Sequence, residues 1–151
     1  MLARVEDISL PIPPVSADTN CAAALSLFLS DTSLFALPLH TEDGDLTLVT
    51  RAAVTEAMAG PEGRTVWASQ PVSILASVSP QIVEASMPVG LAAGNAASSR
   101  PAALSEGLIV TQEGVYRGLV SPAVLTATIA KENAARARTL GQAARRMEAA
   151  K

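Results

Sequence analysis

The chain is poor in every residue type that usually carries chemistry. It has one cysteine and one histidine in 151 residues. One thiol allows no intrachain disulfide, and a lone Cys21 with a lone His40 cannot furnish a usual zinc site or a nucleophile–base set with a spare base. Cys21 stands in a run of alanine and leucine, where it reads as a small buried hydrophobe. Aromatics are 3% and charged residues 17% of the sequence. The core must therefore be aliphatic, and the surface is leaner in charge than the usual quarter or so. That leanness points to cover by a partner or to a plain Ala/Ser bias. No window approaches about 18 uninterrupted apolar residues, so no spanning helix is expected. The first residues, MLARVEDISLPIPPV, place acids and prolines where a secretory leader needs an apolar run. The expectation is a soluble, cytoplasmic protein.

Phosphate-binding signatures are also missing: there is no GxGxxG and no GxxxxGK[ST]. Gly90 and Gly94 have GxxxG spacing but lack an apolar stretch of membrane-spanning length around them. The acidic pairs Glu6/Asp7 and Asp43/Asp45 fall in loop-like and turn-like segments, which suits turns better than acid–base or metal work. No base, nucleophile or metal set supports an enzyme.

What is present is a hydrophobic fraction of 49%, enough for a buried core, and a lopsided charge. Residues 131–151 hold Lys131, Arg136, Arg138, Arg145, Arg146 and Lys151 against Glu132 and Glu148, a local +4; the net charge of -3 leaves -7 for the rest. The basic residues alternate with alanine at helical spacing and without aromatics, which describes a solvated helix face rather than a nucleic-acid or membrane surface. Leu140, Ala144 and Met147 form a thin apolar stripe suited to packing on a partner chain. A homodimer through this helix is expected.

Read for elements, residues 1–15 are extended by Pro11, Pro13 and Pro14. A helix follows over 17–31, capped by Asp18, Thr19 or Asn20. Residues 34–40 form a strand, EDGD at 42–45 a turn, 46–50 a second strand, and 51–60 a helix stopped by Gly60 and Pro61. A connector over 61–80 carries Trp67, a core plug or interface anchor, and the apolar stretch VSILASV. The second half reads as a strand at 81–85, a helix at 88–100 with Pro88 in its first turn, strands at 106–112 and 116–121, and a helix from Pro122 to the end.

The order of elements is thus given twice, over about 12–60 and 81–130. VSADTN and VEASMP both precede a helix, and TLVTRAAV and GLVSPAVL both end a strand and begin a helix with a hydroxyl residue. A period near 70 is too long for a solenoid unit and fits two βαββα modules sharing a core about a pseudo-two-fold. The division expected is a first repeat with its lead over 1–60, the connector over 61–80, a second repeat over 81–130 and a basic helical extension over 131–151. The fold class is α/β (α+β). The corners at Thr50 and Ser121 carry the chemistry of interest. A helix N-terminus offers free N–H groups and partial positive charge, and a hydroxyl there can meet a phosphate or ribose. It can equally be a plain helix cap. Arg51 and Arg117 could reach a phosphate, or be solvated.

The segments PVSADTNCAAALSLFLSD, FALPLHTEDGDLTLVTRAAVTEAM, PQIVEASMPVGLAAGNAASSR and EGLIVTQEGVYRGLVSPAVLTAT together resemble a CBS-domain pair, or Bateman module, over about residues 9–130. The form is similar to pairs lying upstream of bacterial signalling output domains, with residues 122–150 as the helix leading onward. The resemblance implies a regulatory module that binds a nucleotide of the AMP/ATP class between its repeats without a metal. It also implies a ligand site drawn from His40, Thr50, Arg51, Arg117, Gly118 and Ser121. The family's signature is Gly-h-x-Thr/Ser-x-x-Asp, whose Asp holds the ribose hydroxyls. Gly118 and Ser121 match it in the second repeat and Thr50 in the first, but Thr47 replaces the glycine and Ala53 and Val124 replace both carboxylates. A missing ribose acceptor costs about 1–3 kcal/mol of binding. A structural or dimerisation module without a nucleotide is the alternative.

Overall fold

The computed structural model describes residues 2–77 and 79–149. Val78, the end of the apolar connector stretch, and Lys151, the last charge of the basic segment, lie outside the described residues.

Two βαββα units are built as the sequence repeat requires. In the first, strand β1 (Val15–Ser16) precedes helix α2 (Cys21–Ser30), the hairpin β2 (Ala36–His40) and β3 (Leu46–Thr50), and helix α3 (Arg51–Ala59); ahead of them all lies a short helix α1 (Val5–Ile8). In the second, β4 (Ile82–Glu84) precedes α4 (Val89–Ser99), a one-turn helix α5 (Ala103–Glu106), β5 (Leu108–Gln112), β6 (Val115–Val120) and α6 (Pro122–Ala149). Each unit holds a three-stranded sheet in which the first strand runs parallel to the second and the second antiparallel to the third.

Asn20 caps α2, its side-chain oxygen accepting from the Ala23 N–H at 2.8 Å. Pro38 stands in the central strand β2, opposite Leu48 on one side. It is tolerated because β1 pairs only with Leu39 and His40 on the other. Pro88, expected in the first turn of α4, is instead its N-cap residue.

Alternation along the strands sorts their side chains into layers. Leu37, Leu39 and Val49 point at α2 and α3, where Cys21, Ala24, Phe28 and Val54 complete one core. Leu108, Val110 and Val120 point at α4 and α6, where Val89, Ala92, Ala96 and Leu125 complete another. The opposite faces of the two sheets meet through Ala36, Leu48, Ile109 and Leu119, all buried. The order of layers is helix, sheet, sheet, helix, and Phe28 is the one fully buried aromatic. Burial pushes the Cys21 thiol above its ordinary pKa, as an inert core thiol requires.

The lead does not stay extended. Residues 5–8 form a helical turn, and the lead packs on the second unit rather than on the first, with which sequence order groups it. Val5 is in the second unit's core, and the N–H groups of Val5 and Glu6 donate to the Met87 and Ala85 carbonyls. Leu10 and Leu119 exchange both backbone hydrogen bonds, at 2.8 and 2.9 Å. The connector makes the matching move in the other direction. Cys21 and Ala22 donate to the Gln70 and Ala68 carbonyls, Val72 donates to Thr19, and Ser77 donates to Leu48. Each unit is therefore closed by the segment that precedes the other.

The contact of Leu10 with β6 explains Gly118. A Cβ there would stand 2.6 Å from the Leu10 carbonyl oxygen and 3.3 Å from the Ser9 Cβ. In the first unit the connector takes the lead's part, Thr47 takes the glycine's place, and its hydroxyl donates to the Ser77 carbonyl at 2.9 Å.

Candidate functional site

The starts of α3 and α6 open on one cleft of about 380 Å³, walled by both units. Thr50, Arg51 and Ala52 come from the first corner and Pro122 from the second; Ser33, Leu34 and Phe35 form one wall, and Ser105 and Glu106 the other. The volume lies toward the low end of small-molecule sites.

Both corner hydroxyls are caps. Thr50 Oγ1 accepts from the Ala53 N–H, and Ser121 Oγ accepts from the Val124 N–H, each at 3.1 Å. Each hydroxyl keeps its own proton to donate, and Ser121 is buried directly behind Pro122.

Arg51 is engaged with its own unit. Its Nε donates to the Leu34 carbonyl at 2.8 Å, an Nη2 hydrogen goes to the Asp31 carbonyl, and the guanidinium lies 5.1 Å from the centre of the Phe28 ring. Its backbone N–H donates to Phe35. Arg51 thus holds the 31–35 wall in place instead of offering a free cation to a phosphate. The wall is also tied within itself. The Asp31 carboxylate accepts from the Ser33 hydroxyl at 2.6 Å and the Ser33 N–H at 3.0 Å, and these bonds lower its pKa, the hydroxyl most. Glu106 on the opposite wall pairs with Arg100 at 3.3 Å, and Arg100 also donates to Ser77 Oγ at 3.0 Å.

Of the six residues read from the sequence, the structure brings Thr50 and Arg51 to the cleft and Ser121 to its rim. The other three are elsewhere. His40 is exposed at the far end of β2, pairing with Leu46, whereas Thr50 pairs with Ala36. Four residues of strand separate them, about 13 Å. Arg117 is exposed where the β5–β6 register shifts, and Gly118 faces the lead. Ser33, Phe35, Ser105 and Glu106 were not picked out by motif. The repeat itself could have indicated them: Phe35 stands immediately before β2 as Gly107 stands before β5, and both flank the corners.

Ala53 and Val124 leave the two expected carboxylate positions apolar, so Glu106 is the carboxylate lining the cleft. Among the described residues no group of three or more His, Cys, Asp or Glu side chains is placed to hold a metal. No helix among them is long and apolar enough to cross a membrane.

No family model and no curated protein matches the sequence. Solved structures do match the fold. A CBS-domain-containing protein from Agrobacterium tumefaciens is 16% identical with a TM-score of 0.64, over 85% of this chain and 94% of that one. The CBS-pair protein CBSX2 from Arabidopsis thaliana is 17% identical with a TM-score of 0.65, over 88% and 98%. A structure of CBSX2 in complex with AMP is 19% identical with a TM-score of 0.62, over 86% and 98%. At such identities the likeness is one of fold: the chain has the fold of a CBS-domain pair.

Proposed function

We propose that the chain is a non-catalytic regulatory module, cytoplasmic and homodimeric, that takes a small ligand of the adenine-nucleotide class in the cleft between its units and passes occupancy on through α6. One observation carries this reading: the cleft is walled by both units and includes Pro122, the first residue of α6. A ligand that draws the two corners together acts directly on the root of that helix. The nucleotide class is supported by the AMP complex of the similar CBSX2. The lining offers the hydroxyls of Thr32 and Thr50 to a phosphate, since Ser33 and Ser105 already donate theirs to Asp31 and to the Ala102 carbonyl, and Glu106 to a ribose diol in place of the absent carboxylates. An attached output domain or a partner protein would receive the signal.

A second reading is favoured by a specific observation. The Thr50, Ser121 and Arg51 side chains are all already used to hold the protein together. On that reading the pair is a structural or dimerisation module with no nucleotide.

A thermal-shift series with AMP, ATP, S-adenosylmethionine and guanine nucleotides separates the two. Ligand at about 100 times Kd stabilises the folded state by about 2.7 kcal/mol, which for a chain of this size raises Tm by about 5–10 °C. Glu106→Gln should reduce the shift. A flat response to all of them at millimolar concentration rejects ligand sensing and leaves the structural reading.

A further inference from the structure

Glu132 accepts from the Ala3 N–H at 2.9 Å, and beyond it every residue of α6 from Asn133 to Glu148 is exposed, with the lead still flanking the helix as far as Thr139. Leu140 and Met147 are 65% and 72% exposed. These two are not scattered. Ile129, Asn133, Arg136, Leu140, Ala143 and Met147 follow one another at alternating spacings of four and three, the seam of a two-helix coil. The seam is continuous with an interface already in use, because Leu125 and Ile129 on the same stripe pack on the second unit's core. Beside the first residues of the seam, a groove of about 530 Å³ lies between α4 and α6, lined by Gly90, Gly94 and Ala97 on one side and Ile129, Asn133 and Arg136 on the other. A Cβ at either glycine would meet nothing within 4 Å, so the groove is open space.

We propose that a second copy of this chain fills it: the exposed halves of the two α6 helices pair antiparallel, and each helix end enters the other copy's α4–α6 groove. The proposal rests on the homodimeric reading above and says how the dimer is built.

Charge selects both the partner and the direction. Glu132 and Arg146 are two heptads apart and so flank the same edge of the seam. In an antiparallel pair, residues on one edge face their counterparts in reverse order, so Glu132 of each copy meets Arg146 of the other. In a parallel pair Arg146 meets the basic end of its own twin. The same register sets Met147 over Ile129, Ala143 over Asn133, and Leu140 along the aliphatic stem of Arg136. The stripe of Lys131, Arg138 and Arg145, at seven-residue spacing on the opposite side of the helix, stays in water. The seam from 129 to 147 is about 28 Å long and spans fewer than three heptads, short for a free-standing coil. The two grooves supply the additional contact that a stable dimer needs, about 800 Å² per partner.

The test uses the full chain, with its mass measured by light scattering over 1–100 μM. The wild type should have the mass of two chains. Leu140→Asp and Gly94→Leu should each weaken the dimer at least tenfold while keeping the circular dichroism and melting of a folded monomer, since both positions are exposed or open. Arg146→Glu should also weaken it, and Glu132→Arg combined with Arg146→Glu should restore it. Under mild oxidation, Asn133→Cys mixed with Ala143→Cys should cross-link, whereas Asn133→Cys alone should not. A monomeric wild type at 100 μM, a Gly94→Leu dimer as tight as wild type, or cross-linking of Asn133→Cys with itself would each overturn the proposal. Nucleotide-induced melting shifts are read on the same samples. Loss of the dimer with the shifts intact leaves ligand sensing standing, and flat shifts with an intact dimer reject sensing alone.

Discussion

Replacing Gly118 by alanine distinguishes two reasons for a glycine at that position. In the family signature the glycine belongs to the ligand site. In this structure it lies under the lead, and an added methyl would come within 2.6 Å of the Leu10 carbonyl oxygen, 3.0 Å of the carbonyl carbon and 3.3 Å of the Ser9 Cβ. The first two obstacles are backbone and cannot swing aside. The lead must lift, and lifting it breaks the paired Leu10–Leu119 hydrogen bonds. Each is worth about 0.5–1.5 kcal/mol net, so the expected cost is about 1–3 kcal/mol, the usual range for overpacking. For a chain of this length that lowers Tm by about 2–12 °C. Gly141→Ala is the control: it lies in α6, off the seam and with open space around it, and should stabilise by about 0.5–1 kcal/mol. Urea titration monitored by circular dichroism measures both. If Gly118→Ala is as stable as wild type while Gly141→Ala behaves as expected, the close approach of the lead is not what requires the glycine.

Two further outcomes follow from the same geometry. Tyr116, the sole tyrosine, donates its hydroxyl to the Ile12 carbonyl at 2.6 Å, and burial pushes its pKa up to about 12. A phenol that keeps its proton longer in the folded chain stabilises it below about pH 10, and that contribution is lost as pH rises from there through about 12. The phenolate absorbance should therefore titrate well above that of free tyrosine, and Tyr116→Phe should flatten the loss of stability above pH 10; a midpoint near 10 in the folded protein contradicts the contact. Val124 is 38% exposed, so Val124→Asp is sterically free. It restores the signature's carboxylate at the second corner and should tighten AMP binding by about 1–3 kcal/mol, read by calorimetry against wild type. No gain would show that this corner does not hold the ribose.

The repeat was legible because its punctuation is local. The turn glycine Gly44, the Asn20 cap and the hydroxyls that start α3 and α6 act within a few residues of themselves. The site was less legible because its walls come from segments that carry no motif. Phe35, Ser105 and Glu106 matter only once two sheets are packed face to face, a contact between residues some 70 positions apart. Arg51 reads as a phosphate ligand in sequence because its three backbone carbonyl partners, on Asp31, Leu34 and Phe35, are invisible there. His40 and Thr50 belong to one hairpin, and their separation appears only with the strand register. The lead was misplaced for the same reason: proline biases backbone angles, but it does not say on which unit the segment will lie.

The exchange of leading segments sets the smallest piece of this protein that can be handled as a unit. A chain cut out at residues 81–149 would lack Val5 and the strand partner of Leu119, and one ending at Gly60 would lack Val72 and the carbonyls that receive Cys21 and Ala22. Each fragment would expose part of its core at the place where the other's lead belongs. Separately expressed halves should therefore be insoluble alone and recover when mixed. Each half is thus complete only with the other's leading segment in place.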